Sequence, residues 1–461
     1  MNAKRIVRWG IVLFLLVALP GMTVALAQGQ EPAAKAPLPE VTEPGESLAP
    51  EAWDLYEVEG NNTRASADGM AVGYVMGGKI GYAGDIDYFK ISNLPFSEYL
   101  LLDIDAWVIG SNLDAVVCLQ DSGGNTIVCN DDSDTLDSLL FHTTAENVDY
   151  YITVADYNNA HGGNDQYYEL IVSTPLLVSA APANLGTGNV AGIPFQSGDV
   201  LAWCDLVYQP DKWLMFFDAS DVGVKTLGNV AVDNYGDHML FSVGAAQTLP
   251  GLGTVKPHDI LYFDPISNGY DQYSYGGNTY GTMGMYYRGS YNGLTTTAEK
   301  LDALDGWAGA CGGYPVSTTG LATYINGIFY TTMKQDDEDV FCLNYNWGGY
   351  WNWWFDVDGA NDGPYKRIVT GMPVEDVIGV ANIDSYDRFA LTILGPGKIF
   401  GRAVNQKDIF SIYQSTFGWA GFLWKGPMNG WNYNLDAFEM SDYPHLYSFG
   451  PAANGGEQYE R

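Results

Sequence analysis

Basic residues are scarce in this chain: 21 Lys and Arg stand against 55 Asp and Glu, with five His in 461 residues. That balance argues against nucleic acid or an anionic membrane as a partner, since both are held by Lys and Arg. Several catalytic signatures are missing as well. No G-x-S-x-G elbow, no HExxH pair, no Walker loop and no dinucleotide fingerprint occurs, which weighs against the commonest hydrolase, zinc-protease and nucleotide-dependent classes. The five Cys include no CxxC spacing, so a structural zinc site is not indicated. A single long apolar run, Ile11 to Leu19, is too short for a membrane span and is closed by Pro20-Gly21.

What is present has a compartment written into it. Lys4, Arg5 and Arg8 precede the apolar run, and Ala25-Leu26-Ala27 supplies a small-x-small cleavage site, so residues 1–27 read as a signal peptide. This segment holds three basic and no acidic residues. Its removal leaves 18 basic against 55 acidic residues and a formal charge of −37. Such a surface is soluble and receptive to divalent cations. Residues 28–52, rich in Pro, Ala and Glu, read as a flexible linker. Beyond them, 55 Gly, 32 Tyr and 13 Trp, short alternating apolar stretches and no amphipathic helix predict an all-β protein. Cys118 and Cys129 flank a run centred on Gly123-Gly124. A hairpin turning there sets them opposite one another, and an oxidising compartment would join them. Cys311 with Cys342 is a second, weaker pairing, and Cys204 is the odd one.

Residues 57–173, within a domain expected over 53–174, carry a dense set of motifs: Glu59-Gly-Asn-Asn62, Gly84-Asp-Ile-Asp-Tyr-Phe-Lys90, Leu113-Asp114, Asp121-Ser-Gly-Gly-Asn125, Asn130-Asp-Asp132, Asp137-Ser138, Tyr150-Tyr-Ile-Thr-Val154 and Tyr167-Tyr-Glu-Leu-Ile-Val172. In this order they resemble the prepeptidase C-terminal (PPC) family. The resemblance implies a β-sandwich accessory to secreted enzymes, and in some members a calcium ion bound through the opening segment. Two groups offer the oxygens a hard cation requires: Glu57, Glu59, Asn61, Asp85 and Asp87, and Asp114, Asn130, Asp131 and Asp132. The alternative is that these side chains only cap turns.

Residues 175–450 repeat. Phe216-Phe-Asp-Ala-Ser-Asp-Val-Gly223 is echoed at Tyr286–Gly293, Trp354–Gly359 and Leu423–Gly430, with steps of 70, 68 and 69 residues between Asp218, Arg288, Asp356 and Lys425. The first copy resembles FDxSDVG-type β-repeats of secreted bacterial proteins. Asp199, Asp259, Asp339 and Asp408 each lead an apolar stretch and read as turn fasteners rather than a metal ring. About four strands fit one period, which predicts a four-bladed β-propeller closed by the N-terminal strand from Asp199, with an open stack or paired sandwiches as alternatives. Residues 451–461 form a tail.

The segment Trp347–Phe355 is the densest aromatic stretch, and Trp347, Tyr350, Trp351 and Trp353 are candidate sugar-stacking residues; the competing role is packing between blades. Asp356 and Asp358 beside them are the candidate carboxylates of an enzyme reading. The sequence favours a secreted, non-catalytic binding or adhesion protein contacting an extracellular glycan or protein, with calcium as cofactor. A carboxylate-based carbohydrate hydrolase or lyase and a structural cell-envelope or matrix component are the alternatives.

Overall fold

The computed structural model describes residues 55–94, 99–131, 136–145, 147–180, 187–206, 212–232, 238–265, 281–292, 294, 300–304, 314–318, 322–325, 333–335, 340–344, 350–355, 377–384, 388–399, 401–413 and 418–439. The signal peptide, linker and tail expected from sequence lie outside them. Among the described residues the chain is all β apart from single turns of 3-10 helix, and no helix is long and apolar enough to cross a membrane.

The first ten strands are β1 (Leu55–Tyr56), β2 (Asp68–Met70), β3 (Tyr74–Lys79), β4 (Ile86–Leu94), β5 (Tyr99–Asp105), β6 (Ala115–Gln120), β7 (Thr126–Asn130), β8 (Leu139–Thr143), β9 (Val148–Asp156) and β10 (Tyr167–Ser173). They form two five-stranded sheets, ordered β1-β3-β10-β5-β8 and β2-β4-β9-β6-β7. Alternation fills the space between them: Phe89, Ile91, Val117, Leu119, Ile152 and Val154 from one sheet meet Leu100, Leu102, Ile104, Leu170 and Val172 from the other. The β6–β7 hairpin turns at Gly123-Gly124, with Gly124 at φ +87° and Asn125 N donating to Asp121 Oδ1 over 2.8 Å. Cys118 and Cys129 are directly opposed and disulfide-bonded, with Cα atoms 4.0 Å apart.

The remaining strands follow one plan. The chain enters with β11 (Leu176–Ala180), a hairpin of β12 (Gly188–Val190) and β13 (Ile193–Phe195), then β14 (Val200–Cys204) and β15 (Lys212–Phe217). Next come β16 (Leu227–Val232), β17 (Met239–Val243), the hairpin β18 (Gln247–Leu249) and β19 (Gly253–Val255), β20 (Ile260–Pro265) and β21 (Gly281–Tyr287). The order repeats in β22 (Leu301–Leu304), β23 (Tyr314–Thr318), β24 (Ala322–Ile325) and β25 (Met333–Gln335), β26 (Val340–Asn344) and β27 (Tyr350–Phe355). It repeats again in β28 (Val377–Asp384), β29 (Arg388–Ile393), β30 (Gly397–Ile399) and β31 (Arg402–Val404), β32 (Asp408–Tyr413) and β33 (Gly418–Lys425). The last strand, β34 (Leu435–Glu439), pairs with β11, while the strand led by Asp199, β14, lies between β11 and β15. The exchange expected of the Asp199 strand is instead made by the C-terminal strand, which joins three N-terminal ones. The four sheets are β34-β11-β14-β15, β16-β17-β20-β21, β22-β23-β26-β27 and β28-β29-β32-β33.

Their equivalence reaches single residues. Each first strand skips one residue against its partner, at Gly228, Asp302, Ile378 and Asp436. Each fourth strand skips one too, at Phe216, Tyr286, Trp354 and Leu423, the residues that open the four echoed segments. Strand β16 lies beside β34 and β22, and β28 lies beside β22 and β34. Where the first and last of these sheets meet, Trp431 stacks on Trp213 (5.6 Å between ring centres) and on Phe195 (5.4 Å), and Trp424 packs against Trp203 and Trp213.

Candidate functional site

The polar cluster at the opening of the sandwich is built by strand ends. Strand β1 runs parallel to β3, and just beyond it Glu57 N donates to Gly77 O. The Glu57 carboxylate turns back to accept from Lys79 N over 2.5 Å. The β3–β4 turn places Asp85, fully buried, where it accepts from Gly81 N over 2.8 Å and from the Asn62 amide. Two residues on, Asp87 is also fully buried in β4. From the opposite sheet Tyr168 in β10 donates its hydroxyl to Asp87 Oδ2 at 2.7 Å, with Glu57 Oε2 at 3.3 Å from the same oxygen. Gly78 leaves room for that ring: a Cβ there would fall 2.3 Å from Tyr168 Cζ. The exposed Glu59 reaches the same place, since a Cβ on Gly81 would sit 3.1 Å from Glu59 Oε1 and 3.2 Å from Asp85 Oδ2.

The electrostatics of the cluster are one-sided. Burial pushes the Asp87 carboxyl up to about 9, helped by the neighbouring Glu57 charge, and burial raises Glu57 too. The two carboxyl groups meet at the Tyr168 hydroxyl, which lies within hydrogen-bond reach of both. Asp87 Oδ1 and Asn61 Oδ1 are buried and receive no hydrogen bond. A buried acceptor left without a donor costs about 1–3 kcal/mol, more when charged. These oxygens are of the kind a hard cation takes: carboxylate and amide groups, with no sulfur or imidazole, drawn from the opening segment and the start of β4. Among the described residues no three Asp, Glu, His or Cys side chains are already grouped so as to hold a metal ion.

Of the first sequence-predicted group, Glu57 and Asp87 meet at Tyr168 and Glu59 and Asp85 both approach Gly81, while Asn61 accepts from Tyr88 N through its backbone and donates its amide to Asp68 over 3.4 Å. In the second group, Asp114 precedes β6 and Asn130-Asp131 ends β7, at the same end of that hairpin. Asn130 is fully buried, and neither its amide oxygen nor its nitrogen is hydrogen-bonded. Asp132 lies outside the described residues. Tyr168, Asn62 and Gly81 were missed; a Tyr on an otherwise apolar buried strand was the available signal, since its hydroxyl must find a partner.

The repeated aspartates are fasteners. Asp199 accepts from Gln196 N and Ala219 N at 2.7 and 3.0 Å, Asp259 from Lys256 N and Gly289 N at 3.0 and 3.1 Å, and Asp408 from Asn405 N at 3.1 Å. Each ties the turn before the third strand of its sheet, and the first two also hold the loop after the fourth. Asp339, Trp347, Asp356, Asp358 and Cys311 lie outside the described residues. Tyr350, Trp351 and Trp353 fall on β27, opposite Asn344, Leu343 and Phe341, and Cys342 lies on β26. Cys204 is buried in β14.

No family model and no curated protein matches the chain. Among solved structures, it is similar to the pre-peptidase C-terminal domain of collagenase from Bacillus anthracis. The identity is 14%, over 23% of this chain and 93% of that domain, with a TM-score of 0.19.

Proposed function

We propose that this chain is a secreted, non-catalytic binding protein: a calcium-stabilised PPC-like sandwich joined to a four-bladed propeller whose surface contacts an extracellular glycan or protein. The observation that carries the reading is that two oxygens of the acidic opening region, Asn61 Oδ1 and Asp87 Oδ1, are buried and without a hydrogen bond. Calcium takes about six to eight oxygen ligands and would supply the positive charge this cluster lacks. Glu57, Glu59, Asn61, Asp85 and Asp87 would hold it, with the Tyr168 hydroxyl orienting the Asp87 carboxylate.

The propeller reading is supported by the cyclic neighbourhood of β34, β16, β22 and β28 and by the sharing of one sheet between β11 and β34. Binding rather than catalysis is supported by the aspartates that recur through the repeat. Those of Asp199 and Asp259 have both oxygens occupied by backbone N–H groups, and a carboxylate so occupied is a poor acid or base. Export is supported by the disulfide, which persists in oxidising compartments.

A screen of the full chain against glycans and matrix proteins, with and without chelator, tests the proposal. Binding that calcium strengthens, without turnover of the ligand, is expected. Bond cleavage would overturn the non-catalytic reading, and a melting temperature indifferent to both calcium and chelator would overturn the calcium site.

A further inference from the structure

Strand β5 is buried on both faces. Leu100, Leu102 and Ile104 face the sandwich interior, while Tyr99 and Leu101 pack in a second cluster with Leu177, Leu214 and Phe216 of the first repeat sheet. On the neighbouring β8, the Phe141 ring is wedged between Tyr99 (5.9 Å) and Phe216 (4.9 Å, edge to face). Further along the same sheet, Val75 and Ile171 close over Leu206. Beyond the apolar residues of β5, Lys212 Nζ, from the start of β15, reaches Asp103 Oδ2 at 2.5 Å and Asp105 Oδ2 at 2.6 Å. The Asp103 side chain is 8% exposed and that of Lys212 24%.

We infer that the sandwich and the first repeat sheet form one obligate cooperative unit, sealed by this apolar seam and keyed by Lys212 between Asp103 and Asp105. Tethered modules move independently unless a large apolar interface joins them. Here separation would bare Tyr99, Leu101, Leu139 and Phe141 together with Val75 and Ile171. The ion triad sets register more than it adds stability, because desolvation offsets much of its Coulomb attraction. Removing the lysine alone strands two nearly buried carboxylates; replacing all three groups by apolar ones does not.

Hydrogen exchange of the full chain, pulsed at increasing urea, reads both halves at once. The expected result is that peptides covering β5 and β10 and peptides covering β14 and β15 lose protection at one common midpoint. Lys212→Met is expected to lower both midpoints together, and the triple variant Asp103→Leu, Asp105→Leu, Lys212→Met to restore them together. Should Lys212→Met not fold, Lys212→Arg, which keeps the charge, is expected to retain the common midpoint. Two separate midpoints in the unmodified chain would overturn the inference. So would a Lys212→Met effect confined to β14 and β15, or a triple variant no more stable than the single one.

Discussion

The Tyr168 hydroxyl donates to Asp87 Oδ2 at 2.7 Å, and these two residues belong to opposite sheets of the sandwich. One phenol thus spans the space between the layers at the end where the acidic side chains gather. Tyr168→Phe keeps the ring that packs against Phe89 and removes this link. It is expected to destabilise the metal-free protein by about 1–3 kcal/mol, because a buried acceptor loses its donor. Urea titration of variant and parent measures the difference.

Acidification should stabilise the metal-free protein. Asp87, pushed up to about 9, and Asp103, pushed up to about 7, both by burial, hold protons more tightly folded than unfolded. Stability therefore rises as pH falls from about 9 towards the ordinary carboxylate range near 4 and is lost as pH climbs through these values. Calorimetry in chelator from pH 9 to pH 5 should show a rising melting temperature. A falling one would contradict the assignment.

Asp87→Asn separates the cation from the fold. Burial already holds Asp87 neutral in the metal-free fold, and an amide keeps that neutrality and one oxygen, so the metal-free protein should melt no lower than the parent. The upward shift on adding calcium should shrink or vanish. Paired melts in calcium and in chelator read both outcomes.

Loss of the Cys118–Cys129 bridge releases a short loop in the unfolded chain. Replacing both residues by Ala should cost about 2–3 kcal/mol on the chain-entropy account. The same loss should follow reduction of the parent protein, measured by its urea midpoint.

Trp431 is fully buried at the junction of the first and last repeat sheets. Trp431→Ala should cost about 3–5 kcal/mol through the cavity it opens. Leu294 occupies the equivalent place in another unit, each donating its N–H to a Gly five residues earlier. A Trp431→Leu variant should therefore recover part of the loss.

Much of this was legible in the sequence because it is local. Alternation at Phe89-Lys90-Ile91 placed a sandwich strand, Gly123-Gly124 placed a turn and hence two cysteines, and the period near seventy residues placed repeated units whose opening residues prove to be the bulges of four fourth strands. The short hairpins that link the second and third strands of each sheet are not legible in the sequence, since strands of three or four residues carry too little alternation to register. The Tyr168 link and the Lys212 clasp were invisible for a different reason. Their partners lie 81 and more than 100 residues away, and no local pattern names a partner across such a distance.

The pairing of β34 with β11 has a consequence for biosynthesis. A chain emerging N-terminus first lays down three strands of this sheet early and must wait for the last strand of the repeat region to finish it. The oldest part of the domain is completed last. Loss of a few dozen C-terminal residues would thus wound the sheet that packs on the sandwich, far from the cut in sequence.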